Sequence, residues 1–422
     1  MSKYIRLFEN HDEYLEYLNG GGMILPNVSH CIDVNDVHYN PWFDNRIVVT
    51  YYVEDISQPT RISGYQEGGD FEPIYPIGNL QKIIIDNNIE LLPSEVERAT
   101  DEQWGFARHA IYQFDTAGEH TIQYVLNTED YDDPLTGEIY HEFNLPTALC
   151  EDCTEVVAVK FPEGIRYVNG FSGCVNLSSV IIPDSVERYG NSCFRHTKIN
   201  PIYIPKQIQF IGDYCFSWTN PTSISVDSEN PYFDSRNNCN AVIETATNKL
   251  VCGCTDTVIP QEIQSFSGGA FAGTDITTFI TPSSVTVIPY SLCAGCTKLN
   301  NLSIGENVTT INMSAFNGCT ALTNVTIPNS VKTISQYSFG DCTSLQTLTI
   351  GTGVTKIDYG AFRGCTALSS ITCLATTPPS GGRFMFEGST CPIYVPSASV
   401  NAYKSKDTNW RDYASRIQPI QD

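Results

Sequence analysis

The strongest order in the chain is a recurrence of apolar positions every 23 residues in its second half. Three consecutive windows align without gaps: VTTINMSAFNGCTALTNVTIPNS from Val308, VKTISQYSFGDCTSLQTLTIGTG from Val331 and VTKIDYGAFRGCTALSSITCLAT from Val354. The recurring columns are Val308, Val331 and Val354; Ile311, Ile334 and Ile357; Phe316, Phe339 and Phe362; Cys319, Cys342 and Cys365; and Leu322, Leu345 and Leu368. One unit further back gives Val285, Ile288, Leu292 or Cys293, Cys296 and Leu299. Looser coils keep the step from the first column to the aromatic one, as Val186 with Phe194, Ile208 with Phe216 and Ile263 with Phe271. Cys153 and Cys174 open the array, followed by VVAVKFP and LSSVIIP as strands. Counting in this way predicts roughly ten coils from about residue 149.

Within a coil, L-x-x-V-x-I-P places Val325 and Ile327 on one side of a short strand and Asn324 and Thr326 on the other. The Pro, Gly and Asn residues that follow end the strand and turn the chain. The apolar columns of one coil cannot offset the entropy of ordering it, so neighbouring coils must supply the rest. With strands about 4.8 Å apart, ten coils would make a rod of roughly 50 Å. These residues resemble the BspA-like leucine-rich repeat, over about residues 149 to 422. Ser225 to Pro260 resembles the longer irregular coil of that family, and ATTPPSGG…CPIYVPSASVNAYKSKDTNWRDYASRIQPI resembles its C-terminal cap. The resemblance implies a parallel-stranded leucine-rich-repeat solenoid over 149–396, a cap over 397–422, and a binding scaffold rather than a particular partner.

The first third reads differently. FENHDEYLEYLN over residues 8–19 predicts a short helix, with Asn10 as N-cap, Glu13 completing a capping box and Gly20 to Gly22 ending it. Residues 1–41 are expected to be an arm that docks on other proteins, or alternatively a strap on the chain's own next domain. From Arg46, RIVVTYYVED, QKIIID, ARHAIYQF and HTIQYVL predict strands, with DTAGE as the turn between the last two. They suggest a small acidic antiparallel β-sandwich, immunoglobulin-like, over 42–148. The arm, with LPNVS and VHYNP, resembles the opening of structural proteins from tailed phages of gut anaerobes. The fold class is therefore mainly β.

Composition sharpens this picture in two ways. The chain of 422 residues carries a net charge of -23, and -19 of it lies before residue 149, where 26 acidic residues meet 7 basic ones. Such an excess repels phosphate backbones, so nucleic acid is not an expected partner. No stretch is apolar enough to span a membrane as a helix, and the N-terminus shows neither the apolar core of a signal peptide nor an acid-free start. The 16 Cys are expected to be free, small buried hydrophobes.

Candidate chemistry is sparse. Six of the seven His precede residue 142 and only His196 lies in the array, so no nucleophile, base and orienter are expected to meet there. Cys150 with Cys153 and Cys293 with Cys296 have metal-ligand spacing, but each pair occupies the aromatic and Cys columns of one coil, so no metal or other cofactor is expected. Cys252 and Cys254 read as the buried side of a strand. The segment NTEDYDDPLTGE, with Glu129, Asp130, Asp132 and Asp133, lacks ordered calcium-loop spacing and reads as a solvated acid loop. Candidate binding residues are the outward strand ladders, Asn301, Asn324, Thr347 and Ser370 beside Ser303, Thr326, Thr349 and Thr372. In the cap, Tyr394, Tyr403, Trp410 and Tyr413 could anchor a partner or seal the last coil.

Together these features predict a non-enzymatic virion component of a tailed phage. Residues 1–41 would bind other virion proteins, and the solenoid would be displayed toward a host surface protein or glycan. The alternative is a bacterial cell-surface adhesin. Neither reading involves membrane insertion, and the absence of a heptad leaves the oligomeric state open.

Overall fold

The computed structural model describes residues 46–62, 80–92, 95–96, 98–100, 108–126, 128–132, 139–143, 149–162, 164–405 and 409–421. The helix expected over 8–19 and the docking arm of 1–41 lie outside them. The chain divides into two units: Met1–Pro146 with Thr154–Ile165 and Asn176–Ser185, and Thr147–Cys153 with Arg166–Val175 and Val186–Asp422.

The first unit is organised by a six-stranded sheet. Arg46–Val53 alternates strictly, with Ile47, Val49, Tyr51 and Val53 buried, which is the period-two signature of a strand with one face in a core. It pairs antiparallel with Gly118–Leu126, which in turn pairs antiparallel with Leu80–Ile85, and Ile89–Leu91 forms the far edge. On its other side Arg46–Val53 pairs antiparallel with Val156–Lys160, and Val156–Lys160 pairs parallel with Ser179–Ile181. The strands of the first two repeats thus continue the N-terminal sheet, and hydrogen bonding runs across residue 148, where composition changes. Arg108–Tyr112 and Gly118–Leu126, consecutive along the chain, enter different sheets, because Arg108–Tyr112 pairs with Thr60–Arg61 and Arg98–Thr100. The hydroxyls of Tyr51 and Tyr124 meet at 2.8 Å and both turn toward the carbonyl of Ile62, so two large buried side chains keep their polar ends satisfied. The acidic segment expected to be a loop is in part a strand: Thr128–Asp132 pairs antiparallel with Ile139–Phe143. A five-residue run in extended pairing is not the run of turning residues that a cation loop needs.

The second unit is a parallel β-solenoid, about 11 turns with repeats of about 23 residues. Its C-terminal half carries two parallel sheets. One contains Asn324–Ile327, Thr347–Ile350, Ser370–Cys373, Ile393–Val395 and Ile417–Pro419, and the other Val287–Ile288, Thr310–Ile311, Thr333–Ile334, Lys356–Ile357 and Ser380–Gly381. A third side has no regular strand, yet its coils still bond to one another: Phe316 N–H donates to Ser338 O at 2.7 Å, Phe339 N–H to Ala361 O at 2.8 Å and Phe362 N–H to Met385 O at 2.9 Å. The irregular segment inserts the hairpin Ala241–Glu244 and Lys249–Gly253, in which Cys252 is buried, as is Cys254 just after it. The columns read from the sequence form the core; Val308, Ile311, Phe316, Cys319 and Leu322, for example, are all fully enclosed.

The aromatic column is a stack. Ring centroids lie 5.1 Å apart from Phe316 to Phe339, 5.3 Å from Phe339 to Phe362 and 5.7 Å from Phe362 to Phe386. Where the column holds Cys293 instead of Phe, the strand column is enlarged: Phe279 stands where later coils have Leu302, Val325 and Leu348. Its ring lies 5.7 Å from Phe271 and 6.2 Å from Phe316, so one side chain fills the volume that the other leaves.

The Cys column is more than filler. After Cys153, which opens the column, thiols donate to the carbonyl of the aromatic-column residue one coil back: Cys174 to Cys150 O at 2.8 Å, Cys296 to Phe271 O at 3.0 Å, Cys319 to Cys293 O at 3.2 Å and Cys365 to Phe339 O at 3.2 Å. Where the column holds a hydroxyl, that group bonds its own coil's carbonyl, as Thr197 to Phe194 O and Thr274 to Phe271 O.

Two predictions follow from this packing. Cys293→Phe alone should destabilise by about 1–3 kcal/mol through overpacking, and Phe279→Ala by about 3–5 kcal/mol. In denaturant titrations the double variant Cys293→Phe/Phe279→Ala should lose less than the sum of its two single changes, and strict additivity would contradict the shared volume. Burial also pushes thiols such as Cys319 and Cys373 above their usual range. The folded chain therefore keeps these protons where the unfolded chain releases them, so stability is full below about pH 8.5 and falls as pH rises further. Melting temperature should decline from that pH upward, and a chromogenic disulfide reagent should titrate at most one thiol, that of Cys31 outside the described residues, before denaturant is added.

Candidate functional site

The solenoid presents chemically different surfaces on its sides. On the longer sheet, register places Asn324, Thr347 and Ser370 in one outward row and Thr326, Thr349, Thr372, Tyr394 and Gln418 in the next. None of these residues is charged, and Thr347 Oγ1 donates to Asn324 Oδ1 along the ladder. Asn301 and Ser303 are exposed as expected but belong to a separate two-stranded sheet, paired with Thr278 and Ile280. The eight residues expected to form one ladder therefore fall into a group of six and a pair, because the Leu302 and Val325 strands do not pair with each other.

The turn side is built from two left-handed backbone positions per coil. The first is filled by Ser291, Ser314, Tyr337, Gly360 and Phe384, the second by Gly295, Gly318, Asp341, Gly364 and Gly388. A bulky residue at positive φ is strained, and each needs space in the next coil. Tyr337 finds it over Gly360, where an added Cβ would come within 2.8 Å of the Tyr337 ring. This arrangement raises aromatic side chains along one edge. Tyr290 is 51% exposed, Met313 42% and Phe384 43%. The Tyr337 and Tyr359 rings meet edge to face at 5.5 Å, and Tyr359 and Phe384 at 5.4 Å. Arg363 borders the group, held by Glu387 at 2.7 Å. A hydrogen bond with Tyr337 pushes the Tyr359 phenol above its usual range.

Strand alternation alone missed this row, because it lies on the side without strands. Its signal was present: 290, 313 and 359 recur at the repeat period, just ahead of the left-handed column.

The cap aromatics mostly seal the last coil. Trp410 and Tyr403 are fully buried, with Trp410 Nε1–H donating to Pro379 O and the Tyr403 hydroxyl to Ala375 O, each at 2.8 Å. Tyr413 is half-buried against Phe386, and Tyr394 alone stays in the outward row. Among the described residues no group of three or more His, Cys, Asp or Glu is placed to hold a metal ion, and no helix is long and apolar enough to cross a membrane. Cys150, Cys153, Cys293 and Cys296 are all buried in the repeat columns.

The parallel coils, the Phe and Leu columns and the left-handed turns define a solenoid of the leucine-rich-repeat type. The profile of the BspA type leucine-rich repeat region matches residues 144–250, 250–299 and 287–393 in six copies, and the chain belongs to that family. Among solved structures, it is similar to a leucine-rich cell surface protein from Faecalibacterium prausnitzii, with 26% identity, a TM-score of 0.49, and 57% of this chain and 65% of that one covered. The corresponding figures for the pneumococcal vaccine antigen PcpA are 16%, 0.45, 64% and 67%. For a leucine-rich repeat protein from Eubacterium ventriosum they are 19%, 0.40, 59% and 90%. The chain thus spans just under two thirds of the Faecalibacterium protein's length. No curated protein matches it.

The division into inward and outward positions is directly testable. Leu345→Asp buries a carboxylate in the fully enclosed Leu column and should unfold the adjoining coils, whereas Thr349→Asp should leave the thermal transition within about 0.5 kcal/mol of the parent. Equal melting temperatures for the two variants would reverse the assignment of faces.

Proposed function

We propose that this is a non-enzymatic adhesion protein that presents its solenoid at a surface and binds a protein partner through the turn-side row of Tyr290, Met313, Tyr337, Tyr359 and Phe384. The observation that carries this reading is the aromatic row itself, exposed at Tyr290, Met313 and Phe384 and half-buried at Tyr337 and Tyr359, with Arg363 beside it. Aromatic residues and arginine dominate the energetics of protein interfaces, and here they stand on a rigid, repeated backbone. Membership of a repeat family used as a scaffold supports binding over catalysis, and the cell-surface description of the Faecalibacterium protein fits display on a bacterial surface. The sheet ladder of Asn301, Ser303, Asn324, Thr326, Thr347, Thr349, Ser370 and Thr372 is the competing face: uncharged and rich in hydrogen bonds, it suits a glycan better than an apolar hot spot. The attachment to virion proteins expected of residues 1–41 rests on residues outside those described, so the surface adhesin is the preferred reading and the phage component the alternative.

Beads coated with the full chain should adhere to epithelial cells or to one member of a panel of matrix proteins and mucins. Tyr359→Ala/Phe384→Ala should lower that adhesion at least about tenfold, the scale of two interface anchors, with an unchanged melting temperature. Thr326→Asp/Thr349→Asp should retain it. The opposite pattern would move the site to the sheet face, and a wild-type chain that adheres to nothing in the panel would end the adhesion reading. Immunogold labelling of producing cells and of purified particles separates envelope display from a virion location.

A further inference from the structure

Two arginines of one early coil sit over aromatic rings of the next. The short strands Tyr167–Val168, Arg188–Tyr189 and Phe210–Ile211 pair parallel and in register, so Tyr167, Arg188 and Phe210 form one outward row. The guanidinium carbon of Arg188 sits 4.9 Å from the centre of the Phe210 ring, and Tyr167 and Phe210 are both exposed. At the other end of the following turn, the guanidinium carbon of Arg195 sits 4.7 Å from the Trp218 ring, on which His196 also stacks at 4.9 Å and 20°.

This second group is held by a strained backbone. His196 and Trp218 have φ of 57° and 60°, in the column that holds glycine at 173, 273, 295 and 318. Gly273 is what admits the Trp218 ring, since a Cβ there would lie 2.3 Å from it. A bulky residue in a left-handed position is a rare arrangement, and such outliers cluster at binding sites.

Among the described residues Arg188 and Arg195 have no carboxylate at ion-pair distance, whereas Arg236, Arg363 and Arg411 are paired with Asp234, Glu387 and Asp412. The Arg195 Nε is buried with no hydrogen-bond partner. The acid facing this group is Asp152, whose carboxyl lies over Gly173 toward His196. Burial and the Arg195 charge hold His196 below the usual imidazole range, which favours a neutral ring in the stack.

We propose that Tyr167, Arg188, Arg195, Phe210 and Trp218 form a second binding surface, for an acidic peptide segment of a protein partner. Seating each guanidinium carbon over a ring restricts the side chain, and its N–H edge can then grip a carboxylate in fork geometry. Phe210 and Tyr167 accept the apolar side chains between the acids. The Phe210 ring offers no hydrogen bond, so the surface suits a peptide better than the hydroxyl-dense face of an acidic polysaccharide. The proposal is independent of the turn-side row, because it uses different residues and a different probe.

The test is interferometry of the full chain against an immobilised random copolymer of glutamate and tyrosine, with polygalacturonate as the second arm. The wild type should bind the copolymer, more weakly as salt rises. Arg188→Gln/Arg195→Gln should weaken binding at least about tenfold, and Arg188→Lys/Arg195→Lys, which keeps both charges, should still weaken it several-fold by losing the planar fork. Lys404→Gln, on the cap, should bind as the wild type. Circular-dichroism melting of each variant confirms folding, and the lysine pair serves as the reading if the glutamine pair fails to fold. Failure of the wild type to bind the copolymer, equal binding by the folded arginine variants, or tighter binding to polygalacturonate would overturn the proposal.

Discussion

Every coil of the solenoid meets its neighbours through the same columns, and this in-register stacking is the constraint on which the other features rest. A single coil encloses nothing: its Val, Ile, Phe, Cys and Leu columns become a core only when the next coil lies over them. The period therefore has to be kept, and departures from it require compensation. Cys293 takes the place of a Phe only because Phe279 replaces a smaller residue beside it. Tyr337 is tolerated at a left-handed position only because Gly360 follows one coil later.

The same constraint separates structure from surface chemistry. Inward positions are fixed by stacking, while outward positions can vary without disturbing it, so one backbone carries an uncharged ladder of Asn, Ser and Thr, an aromatic edge, and arginines laid on rings. The Cys ladder shows how economical the inward chemistry is. Burial pushes a thiol such as that of Cys319 up, and its proton is donated to a carbonyl of the coil before it. A polar group thus crosses the core without being left unsatisfied.

Much of this was legible in the residues. The 23-residue period predicted the parallel solenoid and its core columns, and alternation within Asn324–Ile327 predicted which residues face outward. What escaped was anything decided by pairing between distant segments. Nothing in VVAVKFP indicates that Val156–Lys160 would pair antiparallel with Arg46–Val53, because an edge strand of that composition can accept a partner of either direction. The break that isolates Asn301 and Ser303 from the rest of the ladder was hidden for the same reason: the residues keep the pattern while the strands part.

The aromatic edge and the stacked arginines were hidden differently. Their residues stand in turns, where periodicity gives no inside or outside, and only the left-handed conformation of the backbone sets their direction. The sequence by itself determined the repeat, the core columns and the absence of charge on the sheet ladder, because these follow from local spacing and side-chain type. The tertiary structure alone decided which strands continue the first sheet and which turn residues stand side by side on the surface, because both depend on contacts between residues far apart along the chain.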